Sequence, residues 1–173
     1  HYRDRRQRQM CIRDRAYTER VFTAMLNDAL SAAGMDVPAL YRQQKIRQGL
    51  KQIRLLEQST GLRPLVDGQP RRWAYFDRLD SEEVDGVEFY AAPELAVYHQ
   101  HRWTLIRIQF RSPRTALMGQ QLEHLLTVLW ALKNEGLPDH ISAFRLKVIQ
   151  WNGTNWQEHN LNITPKLLSL IHI

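Results

Sequence analysis

The chain has 173 residues, a formal net charge of +6 and one cysteine. This length is enough for one globular domain with a hydrophobic core. No apolar run approaches the ~18 residues that a membrane-spanning helix needs, so we expect no membrane partner.

The two ends of the chain resemble translated sequencing-adapter DNA. Residues 10–15 read MCIRDR and residues 168–173 read LSLIHI. Back-translation of MCIRDR gives a strand whose reverse complement encodes Leu-Ser-Leu-Ile-His. We therefore expect residues 1–15 and 168–173 to be foreign to the natural protein. That leaves one truncated domain over 16–167.

Setting the ends aside changes what the charge implies. Residues 1–15 contain six arginines and two aspartates, so they supply 6 − 2 = +4 of the +6 and the remainder carries +2. The only cysteine, Cys11, lies in the same end. The remaining chain has no disulfide, thiolate nucleophile or cysteine metal ligand. It suits reducing conditions, and we expect a cytoplasmic location.

Two amphipathic helices are predicted in a helical part that covers residues 16–58. Apolar residues recur at spacings of three and four over 18–33, and Gly34 follows in a C-cap position. A second helix is predicted to begin near Asp36 and Pro38, which suit an N-cap and a first turn. Its apolar side consists of Ile46, Leu50, Ile53 and Leu56.

A basic stripe lies on another side of the second helix. It consists of Arg47, Lys51 and Arg54. The stripe is either a solvated helix surface or a contact for a nucleic-acid backbone. A loop is predicted after it, over 59–71, because glycines and prolines recur there.

The sequence periodicity then changes to that of strands, which gives a sheet core over 72–163. Short segments rich in aromatic and branched residues predict strands over 72–76, 86–90, 94–99 and 103–110. A helix follows over 117–134, with an apolar stripe that consists of Met118, Leu122, Leu125, Leu129 and Leu132. Strands over 141–151 and 156–163 are joined through a turn at Asn152-Gly153. This order predicts an α/β fold, a mixed sheet flanked by helices.

Residues 86–112, GVEFYAAPELAVYHQHRWTLIRIQFRS, resemble the core hairpin of the PD-(D/E)XK nuclease superfamily, in its RecB-like branch. The matching features are Pro93-Glu94-Leu95, a polar turn over 99–102, and a helix containing Thr127-Val128-Leu129-Trp130-Ala131. The likeness covers residues 86–163. It implies a restriction-endonuclease-like three-layer fold.

The resemblance also implies a metal-dependent DNA nuclease that uses Mg²⁺ or Mn²⁺. Glu94 falls on the first acidic metal-binding position of the family. The Asp-x-Lys position falls on Arg107-Ile108-Gln109, so a carboxylate has become a cation and a lysine has lost its charge. A fixed guanidinium opposes a divalent ion. We therefore expect a degenerate, inactive metal site with no bound metal.

Three readings of Glu94 remain open from the sequence. It pairs with Arg107 across the hairpin, which we favour, or it binds a metal, or it is an unrelated surface residue. An active site rebuilt from Glu94 and Glu123, near the family glutamine position (Gln120 or Gln121), would instead give an active magnesium-dependent nuclease.

Other side chains suit binding rather than catalysis. Arg107, Arg111 and Arg114 fit phosphate oxygens in place of metal-assisted cleavage, or they form a plain basic strand end. His99 and His101 are either zinc ligands or part of a solvated turn. The five tryptophans are core and rim residues or stacking platforms for bases.

These observations predict an inactive nuclease-like domain that contacts DNA through Arg47, Lys51, Arg54, Arg107 and Arg111. A protein-interaction domain without a nucleic-acid role is the alternative from another class.

Overall fold

The computed structural model describes residues 19–70, 72–110, 117–161 and 163. The chain divides into two compact units, one ending at Gln69 and the other beginning at Pro70. The boundary lies within the segment that was predicted as a loop.

The first unit is helical. It contains α1 (Glu19–Ala32), α2 (Ala39–Glu57) and the one-turn helix α3 (Arg63–Val66). The first two confirm the predicted helices, and the third lies in the predicted loop. Phe22 of α1 lies over Gly49 of α2, where an added Cβ would come within 2.2 Å of the ring. The missing side chain at Gly49 therefore lets the two helices approach closely.

The start of α2 corrects one prediction. The N-cap residue is Pro38 rather than Asp36, and it makes no side-chain capping bond. Pro38 has the extended ψ of 142°, so the helical conformation begins only at Ala39. The Pro38 carbonyl then accepts the first helical bond, 3.0 Å from the Arg42 amide.

The second unit contains seven strands and one long helix. They are β1 (Arg72–Tyr75), β2 (Glu82–Val84), β3 (Val87–Phe89), β4 (Leu95–His99), β5 (Arg102–Gln109), α4 (Leu117–Lys133), β6 (Phe144–Trp151) and β7 (Trp156–Leu161). The predicted helix over 117–134 and the predicted strands are confirmed within a few residues. Two features were not predicted, strand β2 and a 3-10 turn (Ile141–Ala143) that replaces the start of the strand expected over 141–151.

Five strands form a mixed sheet in the order β1-β4-β5-β6-β7, while β2 and β3 form a separate hairpin. All neighbours in the large sheet are antiparallel except β5 and β6, which are parallel. A parallel pair needs a crossover connection, and α4 lies between these two strands in the chain. The predicted α/β class with a mixed sheet is confirmed.

The core lies between α4 and one face of the sheet. Ala96, Leu105 and Leu146 form one cross-strand row, and they are buried in one cluster with Val128 and Trp130 of α4. Trp130 is fully buried, its ring centroid lies 4.9 Å from that of Phe76, and its Nε1–H donates to the Asp80 carbonyl at 3.0 Å.

The burial of α4 corrects one detail of the predicted apolar stripe. Leu125 is buried as predicted, but Leu122 is 53% exposed. Val128, Trp130 and Ala131 face the sheet instead. Leu122 therefore lies outside the side of the helix that the sheet covers.

No helix within the described ranges is long and apolar enough to cross a membrane.

Candidate functional site

Glu94 directly precedes β4, and its carboxylate is fully engaged with neighbouring groups. Oε1 accepts a hydrogen bond from Arg78 Nε at 2.8 Å and another from Arg78 Nη2. Oε2 accepts the Ile108 amide at 2.8 Å. The Arg78 Nη2 group also donates to the Ile108 carbonyl at 3.0 Å. The three residues thus form a closed ring of hydrogen bonds at the edge of β5.

The register of the hairpin explains this ring. Leu95 pairs with Ile106 in the antiparallel β4–β5 ladder, so continuing the ladder by two residues places Pro93 opposite Ile108. Proline has no amide hydrogen to donate. The two side chains complete the ladder there, with Glu94 accepting the Ile108 N–H and Arg78 donating to the Ile108 carbonyl.

The predicted ion pair between Glu94 and Arg107 is wrong. Glu94 pairs with Arg78, whose loop position after β1 brings a flexible guanidinium to the exposed edge of the site. Arg107 instead points to the helix, where Nη1 donates to Thr127 Oγ1 at 2.9 Å. The Thr127 hydroxyl in turn donates to the Glu123 carbonyl at 3.0 Å.

Arg107 carries a buried polar atom that lacks a partner. Its Nε has no hydrogen-bond acceptor among the described residues, and no described carboxylate lies within 4.0 Å of its guanidinium. A guanidinium offers five N–H donors, so one bond to a neutral hydroxyl leaves most of its capacity unused.

Two histidines share the surroundings of Arg107. Arg107 pairs with Val148, and Val148 with His159, which places the three in one row across β5, β6 and β7. His124 projects from α4. Burial is the main cause that lowers the pKa of His124; the positive charges of Arg107 and His159 lower it further, while Glu123 raises it.

Gln109 occupies the next row on the same face. It pairs with Gln150, which pairs with Gln157. Because side chains alternate along a strand, Arg107 and Gln109 lie on the side of the sheet that α4 covers. The end of β5 therefore presents a guanidinium and a set of side-chain amides.

The residues present do not fit a hard divalent cation. Such ions prefer carboxylate and water oxygens, but both oxygens of Glu94 already accept hydrogen bonds and an arginine flanks them. Within the described ranges, no three His, Cys, Asp or Glu side chains come together as metal ligands would.

His99 and His101 are both exposed at the β4–β5 turn. The turn consists of Gln100 and His101, whose φ angles are 51° and 62°. Two residues with positive φ between paired residues 99 and 102 form a type I′ hairpin turn. Among the described side chains, no third metal-ligating group comes together with these two histidines.

The basic stripe of Arg47, Lys51 and Arg54 lies on α2 of the helical unit, and all three side chains are exposed. None of them forms an ion pair with a described carboxylate. Arg111 and Arg114, the other predicted phosphate contacts, lie outside the described residues.

The tryptophans divide between core and rim. Trp130 and Trp151 are buried, and Trp73, Trp103 and Trp156 are partly buried. Trp156 packs edge-on against Trp151 and Phe110, with ring centroids 5.3 and 5.2 Å apart. The core role is confirmed for Trp130 and Trp151.

Sequence reasoning missed Arg78 entirely. The residue follows Asp77 in a short connection and belongs to no motif. The usable signal was Pro93, since a proline beside a strand leaves the facing carbonyl in need of another donor.

Comparisons of the chain with protein-family models, with curated protein sequences and with solved structures gave no match.

Proposed function

We propose that residues 16–167 form a restriction-endonuclease-like domain of the PD-(D/E)XK type, RecB-like branch, which binds DNA without cleaving it. Its strand order supports the assignment: a hairpin, a crossover helix and a parallel strand follow one another as the resemblance implies. Glu94 and Arg107-Ile108-Gln109 also lie at facing ends of β4 and β5. Fold-level likeness alone does not establish activity.

One observation carries the non-cleaving part of the proposal. The carboxylate of Glu94 is held by the guanidinium of Arg78 and the amide of Ile108. The guanidinium of Arg78 neutralises the charge of this carboxylate, as a metal ion would. Unlike a metal ion, it offers no site for a metal-bound water. Arg107, at the second ligand position, adds a further positive charge.

The DNA-binding part rests on arginine and lysine groups without counterions. Arg47, Lys51 and Arg54 are exposed on one helix, and Arg107 has no carboxylate partner among the described residues. Such groups bind phosphate oxygens and release condensed counterions from DNA.

The test measures binding of a labelled duplex and a labelled single strand by fluorescence anisotropy at two salt concentrations. The proposal predicts binding that weakens steeply with salt. A triple Arg47→Gln, Lys51→Gln, Arg54→Gln variant should bind more weakly than a variant with three changes at Arg3, Arg5 and Arg6. The second variant matches the charge change of −3 within the segment expected to be foreign.

A pure interaction module would bind neither DNA at either salt concentration, which would overturn the proposal. Equal losses in the two triple variants would assign binding to net charge rather than to the stripe, which would contradict the role given to α2.

A further inference from the structure

Among the residues that the structure describes, the guanidinium of Arg107 has no anionic partner. Its Nε is buried without a hydrogen-bond acceptor, and its one described bond goes to the neutral hydroxyl of Thr127. A partly buried charge without a partner is costly, so a bound anion would be stabilising here.

Two histidines near Arg107 can each donate a hydrogen bond to an anion. His159 lies in the same cross-strand row as Arg107, and burial together with the positive charges of Arg107 and His159 lowers the pKa of His124 on α4. A neutral imidazole still carries one N–H donor. The site therefore offers donors from three elements, β5, α4 and β7, without needing a histidine to change its charge.

The described carboxylates near this cluster do not pair with Arg107. Glu94 would face Arg107 in the hairpin register, but Arg78 and Ile108 hold its carboxylate. Glu123 acts on His124 electrostatically but does not come within ion-pair distance of Arg107 among the described residues. The adjacent row consists of Gln109, Gln150 and Gln157. Their side-chain amides can donate hydrogen bonds to the oxygen atoms of a phosphate group.

We propose that Arg107, His124 and His159 form an oxyanion site that takes a phosphodiester group of nucleic acid. This inference rests on the proposed function and names the contact point within the sheet unit. Arginine suits such a ligand because its planar guanidinium binds two phosphate oxygens at once.

The experiment uses the full chain and two probes. Inorganic phosphate is titrated at constant ionic strength by calorimetry, and a single-stranded oligonucleotide is titrated by anisotropy. Arg107→Gln should weaken both by about tenfold, the effect of a lost hydrogen bond to a charged group. His159→Asn, an exposed position, should weaken both less strongly without affecting folding.

Matched controls separate local contact from net charge. Arg145→Gln removes the same charge from an exposed position on β6 and should leave phosphate binding unchanged. Glu123→Gln removes the acidic group that acts on His124 and should tighten phosphate binding.

Each outcome decides between the claims. Phosphate binding that does not depend on Arg107 and His159 overturns the oxyanion site, while DNA binding through α2 would leave the proposed function standing. Phosphate binding that does depend on them, without any DNA binding, supports an oxyanion site, contradicts nucleic acid as its source and overturns the proposed function.

Discussion

The guanidinium of Arg78 and the carboxylate of Glu94, 16 residues apart in the chain, meet at 2.8 Å between Nε and Oε1. Arg78 is 63% exposed at its side chain, whereas Glu94 is 13% exposed. The buried partner also accepts the Ile108 amide. Glu94 is thus a structural residue of the hairpin as well as the residue at the predicted metal position.

Replacing Glu94 should therefore destabilise the sheet unit more than replacing Arg78. Glu94→Ala leaves the Ile108 amide without its acceptor and should lower the free energy of unfolding by about 1–3 kcal/mol. Arg78→Ala removes a largely exposed ion pair and should cost less than about 1 kcal/mol. Urea denaturation monitored by tryptophan fluorescence measures both.

Two further variants test the cause. Glu94→Gln keeps an acceptor for Ile108 and should be less harmful than Glu94→Ala. Glu83→Ala, an exposed position on β2, should be nearly neutral. Equal losses in Glu94→Ala and Glu83→Ala would refute the structural role.

Stability should depend on pH through His124. Burial, together with Arg107 and His159, lowers its pKa below the ordinary value of 6.5. The unfolded chain then binds more protons than the folded one between pH 6.5 and the lower folded pKa, so stability falls as the pH drops through that window. Above pH 6.5 His124 is neutral in both the folded and the unfolded chain, so this loss of stability is absent. His124→Gln should flatten this part of the stability curve.

The matched variant is His99→Gln, at the exposed hairpin turn. It should leave the acid limb of the curve unchanged. Chemical denaturation at several pH values between 5 and 8 compares the variants. An unchanged acid limb in His124→Gln would count against the role of this histidine.

The β4–β5 turn should be improved by changing its two central residues. Gln100 and His101 both adopt positive φ, which favours Asn and Gly. Replacing them with Asn-Gly should stabilise the sheet unit by about 1 kcal/mol. Thermal denaturation measures the change.

The β2–β3 hairpin allows the reverse experiment, in which a glycine with positive φ is replaced. Gly86 has a φ of 79° and open space around it, so Gly86→Ala should destabilise through backbone strain alone. If both changes shift the melting temperature in the same direction, the assignment of type I′ turns is wrong.

The elements of the fold could be predicted from the sequence, because apolar spacing and turn residues are local signals. The turn at Asn152-Gly153 is an example: it joins the paired strands β6 and β7, as the dipeptide indicated, and Gly153 has a positive φ of 104°. Strand β2 was missed because it has three residues, two of them glutamates. The cap of α2 was misplaced because the backbone at Pro38 outweighs the capping tendency of Asp36.

The site depended on contacts that no local pattern encodes. Glu94 and Arg107 are opposite in register, which made an ion pair reasonable, but the direction of each side chain is set by other elements. Arg78 comes from a different connection, and Thr127 comes from the crossover helix. Only the assembled sheet and helix bring these groups to β5.

The most direct test of the account is a cleavage assay of the full chain on end-labelled single- and double-stranded DNA with Mg²⁺ and with Mn²⁺. We predict that both substrates stay intact while DNA binding is retained without metal, since Arg78 and the Ile108 amide hold the two oxygens of the Glu94 carboxylate. Metal-dependent products that disappear in Glu94→Gln or Glu123→Gln would contradict it.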